Sequence, residues 1–379
     1  MRLRPIATAC VLAGFTLLLY AFRLSAPPLT LEESVINSQA ESIRVGNTPL
    51  FFHIGDEHWL QPVAVYANAA MRAIGGDDVS GRIASAVAGA LGVALVFLIA
   101  QAINGRAWVS VVAALMLMLT PAYWSFAQRG TDAIVPVPLI LLWLLNLLWF
   151  FRADSLRTLA AAAALLGLSA YSQPAAPLTA AFLWMLTVAV ARRRDRIRMF
   201  VATSVFGAAW LPAAVWFFRH PETYPDTFGR WFIFAAHLRT PLDGLRAFIN
   251  PNTLGNRASL YWGFWDPSWL FFNTRDSTAP LLMIAAPFIG IGAFHCMRHI
   301  SRAPAALLIG VALITPLAGA TFGVPHYLAA AATVMPILAL LSACGLEQLI
   351  RLITRRPLED GVAVGAVDRW NDDGAAPQT

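Results

Sequence analysis

Apolar stretches of about 17 to 25 residues, the length a helix needs to cross the hydrocarbon core of a bilayer, recur at short intervals along the whole chain. Ten spans are predicted: Ile6–Phe22, Ile83–Ile103, Ala107–Phe126, Ala133–Phe151, Leu159–Ser172, Ala175–Ala191, Met199–Phe218, Ala279–Met297, Ala303–Phe322 and Tyr327–Ile353. The fifth and sixth are short and joined by "SQPAAP", so one of them is expected to be kinked or re-entrant, and the count carries a margin of one or two. Between the first and second spans the texture changes. Ile36, Ala40 and Ile43, and then Val63, Tyr66, Ala70 and Ile74, recur at three- and four-residue spacing with polar residues between them. That is the period of amphipathic helices lying at the lipid boundary, serving either as a cover over the bundle or as a substrate-docking surface.

Composition agrees with this pattern. Of 379 residues 58% are hydrophobic and 13% charged, and the mean hydropathy of +0.62 lies outside the range of a soluble domain. The expected class is an all-α polytopic membrane protein, one domain over residues 1–356. The polar, aperiodic tail 357–379 is expected to be disordered. The first run follows "MRLR", and "RLSAPP" loosely resembles a cleavage site, so it could be a secretory signal. Its length and the spans behind it favour a retained helix. Cys10, Cys296 and Cys344 fall in apolar runs and read as small buried hydrophobes.

The net charge is +6, and every basic residue is an arginine set beside an apolar run, which fits membrane orientation rather than nucleic acid. With the N-terminus inside, sixteen of the 27 arginines fall on inner segments, including the run "RRRDRIR". Positive charge is retained on the cytoplasmic side of short loops, so both termini are expected to be cytoplasmic, in a bacterial inner (plasma) membrane. Two long connections, about 23–82 and 219–278, then face the periplasm or outside, with thirteen of the 21 acids on that face. The inner loops are too short for a nucleotide-binding domain and hold no Gly-rich phosphate loop, which argues against a nucleotide-driven enzyme with a cytoplasmic site.

Glu32 and Glu33 stand side by side just past the first span, and Asp132 follows Arg129 in the turn "AQRGTDAIVP" before the fourth. Taken alone, the pair reads as a solvated turn. Ionisable groups converging on the membrane boundary from separate spans are functional-site candidates. Adjacent residues on one helix do not share a face, so only one of the two glutamates can aim into a given pocket.

The segments "LTLEESVINSQAESIRVG", "DEHWLQPVAVYANAAMRAIGGDDVSGRIASAVAGAL" and "RGTDAIVPVPLILLW" resemble the opening of the GT-C class of membrane glycosyltransferases. The nearest branch in that resemblance holds protein O-mannosyltransferases and aminoarabinose transferases of lipid A. Later matches are "WFFRHPETYPDTFGRW", "NRASLYWGFWDPSWLFFNTRDS" and "PHYLAAAATVMPILALLSACGLEQL".

The resemblance implies an outward-facing cavity that takes a sugar from a polyprenyl-phosphate donor and passes it to an extracytoplasmic acceptor of unassigned type. It places Glu33 or Glu32 as base with Asp132 in support, and it calls for no nucleotide or soluble cofactor. Arg129, Arg219, Arg230, Arg257 and Arg275 are the arginines available to the donor phosphate. Gln61, His58, His326, Tyr261 and Trp265 are candidate sugar or acceptor contacts. Each arginine has an equally good reading as a headgroup contact, and the aromatic residues of "YWGFWDPSW" fit an interfacial belt. Asp56 with Glu57 and Asp77 with Asp78 could hold a divalent cation, although no metal-site spacing is present. Two departures stand out: Glu32 occupies a place usually held by Asp, and Gln61 one held by Lys in aminoarabinose transferases. The chain contains no lysine. These departures keep open a non-catalytic subunit that binds or transports lipid-linked sugar.

Overall fold

A computed structural model describes residues 3–22, 24, 28–54, 58–75, 79–191, 196–220, 251–272, 279–321, 326 and 328–354. The chain opens with α1 (Leu3–Ala21) and α2 (Leu31–Arg44). An antiparallel hairpin follows, β1 (Phe52–Ile54) with β2 (His58–Leu60), in which His53 faces Trp59. Next come α3 (Pro62–Gly75), α4 (Ser80–Asn104), α5 (Ala107–Met118), α6 (Pro121–Ala127) and α7 (Pro136–Ala153). They are followed by α8 (Leu156–Ser169), α9 (Ala176–Ala191), α10 (Arg196–Arg219), α11 (Pro251–Gly263) and α12 (Pro267–Phe272). The last helices are α13 (Ala286–Arg298), α14 (Ala303–Thr321) and α15 (Val334–Ile353), with 3-10 turns at Met283–Ala285 and Leu328–Ala331.

The chain is an integral membrane protein, and the expected ten spans are matched in part by length and composition. Among the described residues α1, α4, α7, α10, α14 and α15 are long and apolar enough to cross a bilayer, and α5 with α6 makes a seventh if the bent pair counts as one. The bend is 67°. It falls where Thr120 precedes Pro121 and takes an extended backbone, since the proline ring disfavours a helical residue before it. Helices α8, α9 and the segment Met283–Arg298 are apolar but shorter. At 1.5 Å per residue the 14 residues of α8 reach only about 21 Å, short of a core about 30 Å thick.

The buried core runs through α4, α5, α7, α8 and α15, with Val93, Val96, Ile99, Leu117, Ile140, Leu147, Leu166 and Ile337 fully enclosed. Large apolar side chains stay exposed on α1 (Phe15, Leu18) and α10 (Phe200, Phe218), as suits helices bordered by lipid rather than water. Cys296 and Cys344 are buried as expected; Cys10 is instead exposed, on the open side of α1. Helices α13 and α15 cross through Gly292 and Gly345. A Cβ at either would stand 1.9 Å from a backbone carbonyl, that of Leu341 or Phe288, the close approach that small residues permit between membrane helices.

Both amphipathic segments form helices. In α2, Ile36 and Ala40 are buried, but α3 turns its apolar stripe outward: Tyr66, Ala70 and Ile74 are exposed while Asn68 and Arg72 are buried. The polar seam is bridged by Asn68 Nδ2 donating to Asn37 (2.6 Å), Ser80 Oγ donating to Asn68 (2.8 Å) and Arg72 pairing with Glu41 (3.0 Å). The buried face of α3 is mixed, since Val65 and Ala69 pack with Ile36, Ala40 and Phe52 of α2 and β1 beside this polar seam. Most of the second long connection, 221–250 and 273–278, lies outside the described residues, as does the tail.

Candidate active site

Thr30 and Glu33 form a capping box at the start of α2. The Thr30 hydroxyl accepts from the Glu33 amide (3.3 Å), and the Thr30 amide donates to Glu33 Oε2 (2.8 Å). This folds the Glu33 side chain back over the helix end into the protein, where Arg82 from the first turn of α4 meets it. Arg82 Nε donates to Oε1 (2.7 Å) and Nη2 to Oε2 (2.9 Å), a bidentate pair with both side chains buried. The Gly130 amide donates to Oε1 (2.8 Å), so every acceptor position of the carboxylate is used. The remaining donors of Arg82 reach the carbonyls of Leu24 (2.6 Å) and Pro28 (2.9 Å).

Burial alone would push the Glu33 carboxyl up. The hydrogen bonds from Arg82, Thr30 and Gly130, with the charge of Arg82, outweigh burial and hold it down at about 2. Gly130 suits this point, because a Cβ there would stand 3.1 Å from the Gly81 backbone, a tight approach. The knot ties α2, α4 and the "RGTD" turn into one unit.

Glu32 points the other way. It is exposed and makes no hydrogen bond or ion pair among the described residues. Partial desolvation first, and the neighbouring Glu33 charge second, raise its carboxyl above the ordinary value, while Arg129 acts in the opposite sense. Arg129 is exposed, and the half-buried Asp132 lies three residues on in the same turn, its carbonyl accepting from the Val135 amide ahead of α7. The acidic pair is thus split into an anchored carboxylate and a presented one.

A second feature lies on α10. An apolar groove of about 450 Å³ runs past Leu50, Leu211, Pro212, Val215 and Trp216 and ends at Arg219 and His220. Proline at 212 removes one backbone donor from this helix. Beside it the Tyr171 hydroxyl donates to the Ala209 carbonyl (2.7 Å) and accepts from the Ala213 amide (3.2 Å), inserted into the helix backbone. Phe51 packs on Tyr171, Trp216 and Phe217 and joins the β1 end to the same place.

Of the other expected residues, Gln61 lies near the α8–α9 corner and the rest lie on or beside α11 and α12. The Val63 amide donates to the Tyr171 carbonyl, and Gln173 Nε2 donates to the Ala330 carbonyl (3.2 Å). Gln61, two residues before Val63, is buried with no partner for its Oε1. His326 has a positive φ of 58°, is exposed, and stacks on Trp269 with ring centres 4.7 Å apart. Tyr261 donates to the Leu313 carbonyl (3.1 Å), which fixes α11 to α14; Trp265 packs against the core, and Arg257 is buried on α11. Arg129, not Arg219 or Arg257, is the arginine whose charge acts on Glu32. Arg230, Arg275, Asp56, Glu57, Asp77 and Asp78 lie outside the described residues, as does the His58 side chain. Among the described residues no three of His, Cys, Asp and Glu converge as a metal ligand set.

Sequence reasoning missed Arg82, Gly130 and Tyr171. Arg82 carried a signal, since it sits within the first turn of an apolar helix, where a cation needs a partner. Tyr171 carried none, because its role depends on a helix 38 residues away.

The sequence model of the dolichyl-phosphate-mannose-protein mannosyltransferase family matches residues 61–216. No curated protein sequence matches the chain. Among solved structures, ArnT from Cupriavidus metallidurans bound to undecaprenyl phosphate superposes with a TM-score of 0.59 at 15% identity, covering 93% of this chain and 62% of that one. The fold is that of the GT-C class. The archaeal oligosaccharyltransferase AglB from Archaeoglobus fulgidus, in complex with an inhibitory peptide and a dolichol-phosphate, shares it with a TM-score of 0.55 at 14% identity, over 100% of this chain and 56% of that one. The chain therefore spans about three-fifths of the length of the solved structures it matches.

Proposed function

We propose that the chain is a membrane glycosyltransferase that moves a sugar from a polyprenyl-phosphate donor to an acceptor on the α2 side, the extracytoplasmic face. The observation that carries this reading is the split acidic pair: Glu33 is anchored by Arg82 and Gly130, which leaves Glu32 presented, with a raised carboxyl, beside Arg129. A raised carboxylate suits a general base working near neutrality. Glu32 is therefore the base, and Glu33, given equal standing by the sequence, sets its position.

In the proposed step an acceptor hydroxyl attacks the anomeric carbon, the bond from that carbon to the phosphate oxygen breaks, and the hydroxyl proton passes to Glu32. The leaving polyprenyl phosphate gains negative charge, which a guanidinium stabilises. The groove on α10 supports the donor assignment, since an isoprenoid chain along Leu211, Pro212 and Val215 would set its phosphate at Arg219 and His220. ArnT with undecaprenyl phosphate and AglB with dolichol-phosphate support the same donor class. Asp132, half-buried behind Arg129, orients the acceptor or that arginine. Gln61, with an unpaired Oε1, accepts from a sugar hydroxyl where a lysine would have met phosphate.

The test is turnover of a labelled polyprenyl-phosphate sugar in proteoliposomes. Glu32→Gln is expected to lose about 10²- to 10⁴-fold in rate; equal rates for wild type and variant would overturn the reading. Donor binding without transfer to any acceptor would mark a binding or transport subunit instead.

A further inference from the structure

Helix α4, with 25 residues, extends about 37 Å from the Arg82 knot to the opposite end of the bundle. There the ends of α13 and α15 and the start of α5 gather a second charged cluster that plays no part in the transfer chemistry. Its centre is Glu347, buried to 2% exposure, whose Oε1 accepts from Arg351 Nη2 (2.5 Å) and pairs with Arg106 Nη1 (3.2 Å). Around it stand Arg298, Arg302, His295 and His299. The charges of His299, Arg351, Arg302 and Arg298 all act on the His295 ring, so the groups share one patch.

Arg106 and Arg351 share the one carboxylate, while Arg298 and Arg302 stand by the same histidine pair with no carboxylate partner among the described residues. Nε of Arg351 is buried without an acceptor. Arg298 lies over the Phe294 ring (5.8 Å), and His299 Nδ1 meets the His295 carbonyl (2.9 Å). The patch therefore has guanidinium charge in excess of carboxylate.

The surroundings say which anion fits. Phe294, Met297, Ile350 and Leu352 are exposed on the same helix ends, so apolar surface borders the cationic one at the depth where a bilayer changes from headgroup to chain. A soluble phosphate would use only the charge, whereas an amphiphile uses both surfaces. We infer that this cluster is a binding site for the phosphodiester headgroup of an anionic phospholipid, taken from the leaflet facing the ends of α13 and α15, with its acyl chains along Phe294, Met297 and Leu352. The site stands apart from the proposed transfer reaction and holds whether or not Glu32 is a base.

The experiment compares spin-labelled phosphatidylglycerol with spin-labelled phosphatidylcholine in phosphatidylcholine proteoliposomes of the full chain. Wild type should immobilise phosphatidylglycerol in clear preference, and the preference should fall about fivefold for each arginine removed in Arg298→Gln and Arg302→Gln. Glu347→Gln frees two guanidinium groups and should strengthen the preference. Arg302→Gln alone, checked for an unchanged melting temperature, guards against loss of fold in the double variant. Equal preference in wild type and the arginine variants would overturn the site. Displacement of the label by millimolar inorganic phosphate as readily as by excess phosphatidylglycerol would also overturn it, in favour of a soluble anion.

Discussion

The carboxylate of Glu33 and the guanidinium of Arg82 meet side by side, 2.7 and 2.9 Å apart, in a buried pair joining helices 49 residues apart in sequence. The pair takes one member of the acidic doublet out of play and aims the other. Removing one partner strands a buried charge, whereas removing both does not. Arg82→Met and Glu33→Leu are each expected to destabilise the protein by about 3–5 kcal/mol, and the double variant by less than either. Thermal unfolding in detergent of the three variants checks this; additive losses would contradict it.

The same pair sets a pH dependence. Glu33 is held at about 2 in the folded protein against an ordinary 4.5, so its stabilisation is complete above about pH 4.5 and is lost as pH falls towards 2. Melting temperature should fall across that window in wild type, and the fall should be shallower in Glu33→Gln.

Glu32 predicts the opposite displacement. Its carboxyl is raised by desolvation and by Glu33, and Arg129 restrains the rise. As the proposed base must be ionised, the acid limb of the pH–rate profile should lie above the ordinary carboxylate range. Arg129→Gln should move that limb higher still. A limb unmoved by that substitution would remove Arg129 from the site.

Tyr171 is expected to act through the groove. With Tyr171→Phe the Ala209 carbonyl and Ala213 amide lose the inserted hydroxyl, and the outer part of α10, carrying Trp216 and Arg219, shifts. The concentration of a long-chain donor needed for half-saturation should rise about tenfold, in line with one or two kcal/mol for a lost buried partner, while a short-chain donor is unaffected. Equal changes for both donors would point to a general loss of packing.

The crossing of α13 and α15 gives a fold prediction. Gly345→Ala puts a methyl 1.9 Å from the Phe288 carbonyl, and the helices must separate at a cost of about 1–3 kcal/mol or more. Yield of monodisperse protein should drop, whereas Gly290→Ala, with open space at its Cβ, should behave as wild type.

The sequence by itself determined the class and the order of apolar helices, because lipid obliges the backbone to bond within each segment and so writes helix length directly into hydropathy. It also carried the amphipathic character of α2 and α3, the acidic pair and the "RGTD" turn. The number of full crossings was not legible: the Thr120–Pro121 bend and the short α8 and α9 divide apolar runs without changing their composition. Nor was the face that α3 buries, since Val65 and Ala69 go inward with Asn68 and Arg72 while Tyr66 and Ile74 stay outside. Which glutamate is presented depended on Arg82 and Gly130, brought to Glu33 from two other segments. Adjacent residues of one type are alike to sequence reasoning; only the tertiary structure decides which of them is held by hydrogen bonds and which is left exposed.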